Sequence, residues 1–150
     1  MNAIDLEIAK LTLKEKNLSL VIVNNGKVVF ETKKQGVNGF LQAIETLNQD
    51  LIEASVADKI VGVAAALLFV YSGLSSVFAF TISKGGLKVL EDNNIVCQFG
   101  KKVSNILNRS KTDVCPFEKL AMDSKSSDEA YLKLKSFASQ MISKSTKTDC

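Results

Sequence analysis

Three short stretches hold the residue types that do chemistry. Asp58 and Lys59 stand at the edge of a run, Ile60 to Ser83, that contains no charged residue. An acid and an ammonium held partly dry at such an edge shift their pKa values, so proton transfer or anion binding becomes available to them. The plainer reading makes Asp58 a cap on a helix dipole and Lys59 a solvated cation. The second stretch is Ser83-Lys84-Gly85-Gly86, past the carboxyl end of an expected strand and at the start of an expected helix. Ligands of open α/β sheets gather at that end, and free backbone N–H groups there suit phosphate or carboxylate. A tight strand-to-helix turn with no ligand explains the two glycines equally well. The third stretch is NRSKTDVCPFEK, residues 108 to 119. Cys115 falls at a helix N-terminus, where the dipole lowers a thiol pKa, and Arg109, Lys111 and Lys119 are near in sequence. Arg109 beside Asn108 offers a planar clamp for carboxylate or phosphate, and Glu118 an acid or base. Against that stands a small, buried, inert Cys115.

Composition narrows what those groups can be. The chain has 150 residues and no histidine, which removes the commonest neutral-pH base, the commonest zinc ligand and every Ser-His or Cys-His pair of its own. Its three cysteines, Cys97, Cys115 and Cys150, show no CxxC spacing, so neither a disulfide framework nor a zinc knuckle is indicated and a reducing cytoplasm fits. No metal or other cofactor is expected. The net charge of +3 is too mild to argue for nucleic acid. It is uneven, however: from Lys84 onward there are 12 Lys/Arg against 8 Asp/Glu, and before it 7 against 8. The amphipathic, charged start lacks the apolar run of a secretory signal. With 46% apolar residues and one proline, the length predicts a single domain over residues 1–150 with a frayed tail from about 145.

Those groups need elements to position them. Residues 2 to 16 predict an amphipathic helix with Ile4, Ile8 and Leu11 on its inner face. LSLVIVNNGKVVFET predicts a hairpin turning at Asn25-Gly26, which tolerates the positive φ of a type I′ turn. Val37, Phe40, Leu41, Ile44, Leu47 and Leu51 are spaced by threes and fours, as on a second amphipathic helix. The uncharged run reads as a buried helix beginning at Ala57-Asp58-Lys59, a turn at Ser72 to Ser76, and a strand VFAFTI. The polar turn and the aromatic, β-branched second half argue against a membrane span. A helix after Gly86 and a strand IVCQF complete a parallel crossover. Residues 101 to 114 fit a strand or a short helix. Pro116 suits the first turn of a helix to about Met122, and Ser126 to Glu129 forms a capping box for a last helix with Ala130, Leu134, Phe137, Ala138 and Met141 inward.

Taken together, NNGKVVFE, VADKIVGVAAALL, ISKGGLKVL and NRSKTDVCPFEKL resemble a family of uncharacterised bacterial and archaeal proteins, a domain of unknown function related in fold to cytidine deaminases. The resemblance runs from about Leu18 to the last helix. It implies a three-layer α/β/α sandwich whose mixed sheet carries the hairpin as two antiparallel strands. In true deaminases, helices beginning H-A-E or C-A-E and P-C-x-x-C hold zinc, and the Glu moves protons. The equivalent starts here, Val56 to Lys59 and Ser83 to Gly86, supply no thiol or imidazole, so the resemblance implies the pocket and Asp58 as its acid without the metal. The expectation is a zinc-free, deaminase-like domain binding a small anionic or nucleotide-like molecule. Asp58, Cys115 and Glu118 are its candidate catalytic groups, and Lys59, Ser83, Lys84, Gly85, Gly86, Asn108 and Arg109 its candidate ligand contacts. The alternatives are a metal-independent enzyme using Cys115, and an interaction protein forming a homodimer through an exposed strand or the last helix.

Overall fold

A computed structural model describes residues 3–108 and 110–143; Arg109 and the tail expected to fray lie outside the described residues. The elements run α1 (Ala3–Glu15), β1 (Leu20–Asn24), β2 (Lys27–Thr32), α2 (Val37–Leu47), a 3-10 turn (Asn48–Leu51), β3 (Ser55–Val61), α3 (Val63–Ser72), β4 (Ser76–Ser83), α4 (Lys84–Asp92), β5 (Val96–Val103), α5 (Pro116–Met122) and α6 (Ser127–Ser143). The five strands form one mixed sheet in the order β2-β1-β3-β4-β5. β1 pairs antiparallel with β2 and β3, whereas β3, β4 and β5 run parallel.

Strand alternation divides the core between the two faces of this sheet. On one face Val21, Val23, Ala57 and Phe78 pack with Leu6, Ala9 and Leu13 of α1. On the other, Leu20, Ile22, Val56, Val77 and Ala79 pack beneath α2, α3 and α6, with Phe40 and Phe69 edge to face at 4.9 Å. Each fully buried Phe or Leu here is worth about 1.5–3 kcal/mol of transfer free energy. The outcome is helix, sheet, helices in three layers, as expected.

The hairpin turns where the sequence places it, with positive φ at Asn25 (52°) and Gly26 (77°). Pro116 sits in the first turn of α5. Ser126 Oγ accepts the Glu129 N–H at 3.1 Å, with Ala130 and Leu134 fully buried. Three expectations need correction. The inner face of α1 carries Asp5, Leu6, Ala9 and Leu13, and leaves Ile4 and Leu11 exposed. Both sets have helical spacing; Asp5 decides between them, because its carboxylate accepts the N–H groups of Asn25 and Gly26 at 3.1 and 2.9 Å and so fixes the rotation of the helix. The buried helix begins at Val63, not at Ala57: Asp58 and Lys59 belong to β3, a central strand whose β-branched Val56, Ile60 and Val61 pair with β4 until Gly62 ends it. Residues 101 to 103 extend β5, and beyond them a single bridge, Leu107 to Val114, closes an irregular loop. Among the described residues no helix is long and apolar enough to cross a membrane.

Candidate functional site

The parallel strand β3 delivers the chain at Gly62 to the N-terminus of α3, whose first amides have no partner within the helix. Glu118, from the first turn of α5, fills that position. Its Oε1 accepts the Val63 N–H and its Oε2 the Ala64 N–H, both at 2.7 Å, so the carboxylate spans two orphan donors at the positive end of the helix. Glu118 is buried, and burial pushes its pKa up while the two amides pull it back down. A side chain at Gly62 would be driven into this carboxylate. α4 begins alongside: a β-carbon at Gly86 would lie 2.9 Å from the Gly62 carbonyl, and one at Gly85 2.7 Å from a Val63 methyl. The two helix starts are therefore packed onto each other with no hollow between them.

The hollow lies next to them, between β3, α2 and the segment from Ile106 to Glu118. It has a volume of about 210 Å³, with Val37, Phe40, Ile60 and Phe117 among its apolar walls and Asp58, Lys111 and Glu118 among its charged ones. Asp58 reaches it because alternation along β3 turns its side chain away from α1. Asp58 as a whole is only half-buried, yet its carboxyl is enclosed enough that burial pushes its pKa to about 7. The Ile60 N–H donates to its Oδ1 at 3.2 Å, and the backbone amides of Ile60 and Lys59 both pull the pKa back down. A carboxyl with a pKa near neutrality both accepts and donates protons at pH 7.

Asp58, Asn108, Cys115 and Glu118 thus line one cavity. Asn108 also builds the rim: its Oδ1 accepts the Thr112 N–H at 3.0 Å and its Nδ2 donates to Thr112 Oγ1 at 3.2 Å. Cys115 corrects the expectation of free thiols: it is buried and disulfide-bonded, so in this state it offers no thiolate to the cavity and cannot serve as the nucleophile. Among the described residues Cys97 is free, and burial, helped by Glu91, pushes its thiol up to about 11. The other expected contacts lie elsewhere. Lys59 points to the α1 side and donates to Asn17 Oδ1 at 3.2 Å. Ser83 is a buried cap, its Oγ accepting the Gly86 N–H at 3.0 Å, while Lys84 is exposed and Gly85 and Gly86 serve the packing of α4 on α3. Arg109 is outside the described residues. Sequence reasoning missed Phe40 and Ile60 as walls, since an apolar residue on an amphipathic helix or a strand reads as core. Lys111 was noted as a cation near Cys115 but not as a contact; a positive φ of 59° in the loop accompanies its place in the lining. Among the described residues no three His, Cys, Asp or Glu side chains group to hold a metal.

A family model described as "TM1506: Domain of unknown function (DUF1893)" matches residues 8–138. The crystal structure of a DUF1893 family protein, TM1506, from Thermotoga maritima superposes with a TM-score of 0.82 at 26% identity, covering 91% of each chain. Two forms of RibD from Acinetobacter baumannii align at TM-scores of 0.45 and 0.47 and at 16% and 18% identity. Those two alignments take in 66% of this chain and 33% of RibD. No curated protein matches the sequence.

Proposed function

Because this chain belongs to the DUF1893 family, a domain of unknown function, its role has to come from its own site, and we propose that it binds a small nucleotide-like molecule whose flat base enters the cavity beside Asp58. The observation that carries this reading is the convergence of a near-neutral carboxyl, a cation and aromatic walls on one 210 Å³ hollow. That volume is below the roughly 300–1,000 Å³ of drug-sized sites, so it suits a single ring system and leaves any phosphate outside. Phe40 and Phe117 supply apolar walls, and Asp58 matches the N–H-bearing edge of a heterocycle: ionised it accepts, protonated it donates. Lys111 is the cation for an anionic group at the mouth. Two carboxyl groups in the lining argue against a purely anionic ligand seated deep inside.

A deaminase-like ancestry without zinc belongs to the same proposal. The start of α3, where the related enzymes offer a metal ligand and a proton-moving Glu, here has Gly62-Val63-Ala64 and is closed by Glu118 from another helix. The donor set supports ligand binding rather than metal-assisted hydrolysis, since the chain has no imidazole and Glu118 is engaged with two amides.

Thermal-shift titration with nucleobases, nucleosides and nucleotides tests this reading. A ligand at about a hundredfold over its dissociation constant raises the melting temperature of a domain this size by about 5–10 °C. We expect that shift from at least one base or nucleoside, and its loss in Asp58→Ala. No shift from any compound, or an unchanged shift in Asp58→Ala, overturns the proposal.

A further inference from the structure

β5 ends the sheet, with β4 on one side of it. Unprotected edge strands offer a row of backbone donors and acceptors to another strand, and proteins commonly blunt them with charge, proline or a bulge. The charge on this edge is confined to one half: Lys101 and Lys102 follow Gly100, while Val96 to Phe99 carries none. Val96 is 61% exposed and Phe99 41%.

The two faces of β5 are distinguishable. Cys97 packs against the core cluster under α4, so by alternation Phe99 and Lys101 share its face. Gln98 points the other way, where Lys10 of α1 donates to its Oε1 at 3.0 Å. Near Cys97, at the end of α4, stands the exposed acid Glu91, close enough for its charge to act on the Cys97 thiol. One face of the edge therefore presents an acid near Cys97, an aromatic ring at Phe99 and a cation at Lys101, two residues apart each time.

Such a strip is its own complement when reversed. Antiparallel pairing of two identical strands about a dyad perpendicular to the sheet sets residues of the same face opposite each other. With the dyad at Phe99, the ring meets its own copy, Cys97 meets the partner's Lys101, and Val96 meets the stem of the partner's Lys102. The Phe99 contact lies on the dyad and occurs once, the other two occur twice, and no two lysines oppose. A dyad at Lys101 would set like charges face to face, and a dyad at Gly100 would leave Glu91 without the lysine.

We propose that this chain forms a homodimer by antiparallel pairing of β5 with β5 of a second copy about a dyad at Phe99, joining two five-stranded sheets into one and setting Lys101 of each protomer against Glu91 of the other. The pairing is β-augmentation by a second copy of the chain, and no residue of β5 lines the Asp58 cavity.

Sedimentation equilibrium on the full chain tests it. The wild type is expected to be dimeric at micromolar concentration. Glu91→Lys and Lys101→Glu each introduce two like-charge contacts and are expected to weaken the dimer about tenfold, and the double variant to restore it. Both positions are exposed, so these variants fold; their melting curves check it. Phe99→Cys in a Cys97→Ser background is expected to give a 99-to-99 disulfide between chains, mapped by mass spectrometry. A monomeric wild type, a dimer indifferent to the single charge changes, failure of the double variant to recover, or absence of the 99-to-99 link overturns the proposal.

Discussion

Two carboxyl groups line the same cavity and are held in opposite ways. Glu118 lies at the closed end, its oxygens each accepting a backbone N–H at 2.7 Å from the start of α3. Asp58 lies at the open end, where the bond it accepts from the Ile60 N–H is longer, 3.2 Å. Burial pushes both upward in pKa; it is opposed at Glu118 by the Ala64 and Val63 amides at the positive end of a helix, and at Asp58 by the Ile60 and Lys59 amides of a strand, where no helix dipole adds to them. The difference separates structure from chemistry. A carboxylate that completes a helix cap has one lone pair of each oxygen taken by a backbone N–H and is held in place by them, whereas one in an apolar wall with a longer bond keeps more of its affinity for a proton or an N–H group. Sequence alone offered both as candidate catalytic acids, Asp58 at the edge of the uncharged run and Glu118 among the cations of residues 108 to 119.

The comparison is broken most severely from the closed end. Glu118→Ala strips two buried amides of their acceptor and opens a void beside Gly62, so it is expected to cost roughly 3 kcal/mol or more. In a domain of this size that lowers the melting temperature by about 6–12 °C, which calorimetry reads directly. Glu118→Gln keeps the shape and one acceptor oxygen, so its loss should be about half as large; an equal loss would mean that volume, not the pair of hydrogen bonds, is what matters. Gly62→Ala attacks the same contact from the other side. Its β-carbon meets the Glu118 carboxylate, and the expected destabilisation is about 2 kcal/mol, relieved when combined with Glu118→Ala. Additive losses in that double variant would show that Gly62 and Glu118 do not share one contact.

How much of this was legible beforehand follows from the range of the interactions. The Asn25-Gly26 turn, Pro116 and the Ser126 cap are local, set by the φ preferences or hydrogen bonds of a few consecutive residues, and all three stand where the sequence puts them. The face of α1 was misjudged because it is settled by Asp5 reaching the Asn25-Gly26 turn, a contact twenty residues distant. β3 was misread as a helix start because Asp58-Lys59 imitates a charged first turn, and only pairing with β1 and β4 makes that segment extended. At the site, Asp58 lines one cavity with Asn108, Cys115 and Glu118 of the 108 to 119 stretch. The signal at Ser83 to Gly86 was real but structural: those glycines let α4 approach Gly62 and Val63. The bridge from Glu118 to Val63 spans 55 residues, and nothing in either local sequence announces it.

The open end gives the smaller effect and the opposite sign. In the folded protein the Asp58 carboxyl titrates near 7, whereas in the unfolded chain it titrates near the ordinary 3.8. Between those values the folded state binds the proton that the unfolded state has lost, so stability is highest at the acid side of this window and falls as pH rises through 7. The full displacement converts to about 4 kcal/mol, and about half of that is expected because the residue is partly exposed to solvent. Asp58→Asn keeps an acceptor for the Ile60 N–H and removes the titration. Its melting temperature should therefore match the wild type only below the unfolded value of 3.8, run ahead of it from there upward, and exceed it by about 4–8 °C at pH 8. Glu118→Gln should lose stability at both ends of that range. If Asp58→Asn is destabilised at pH 8 as well, the aspartate is a structural carboxylate like Glu118, and the contrast between the two ends of the cavity disappears.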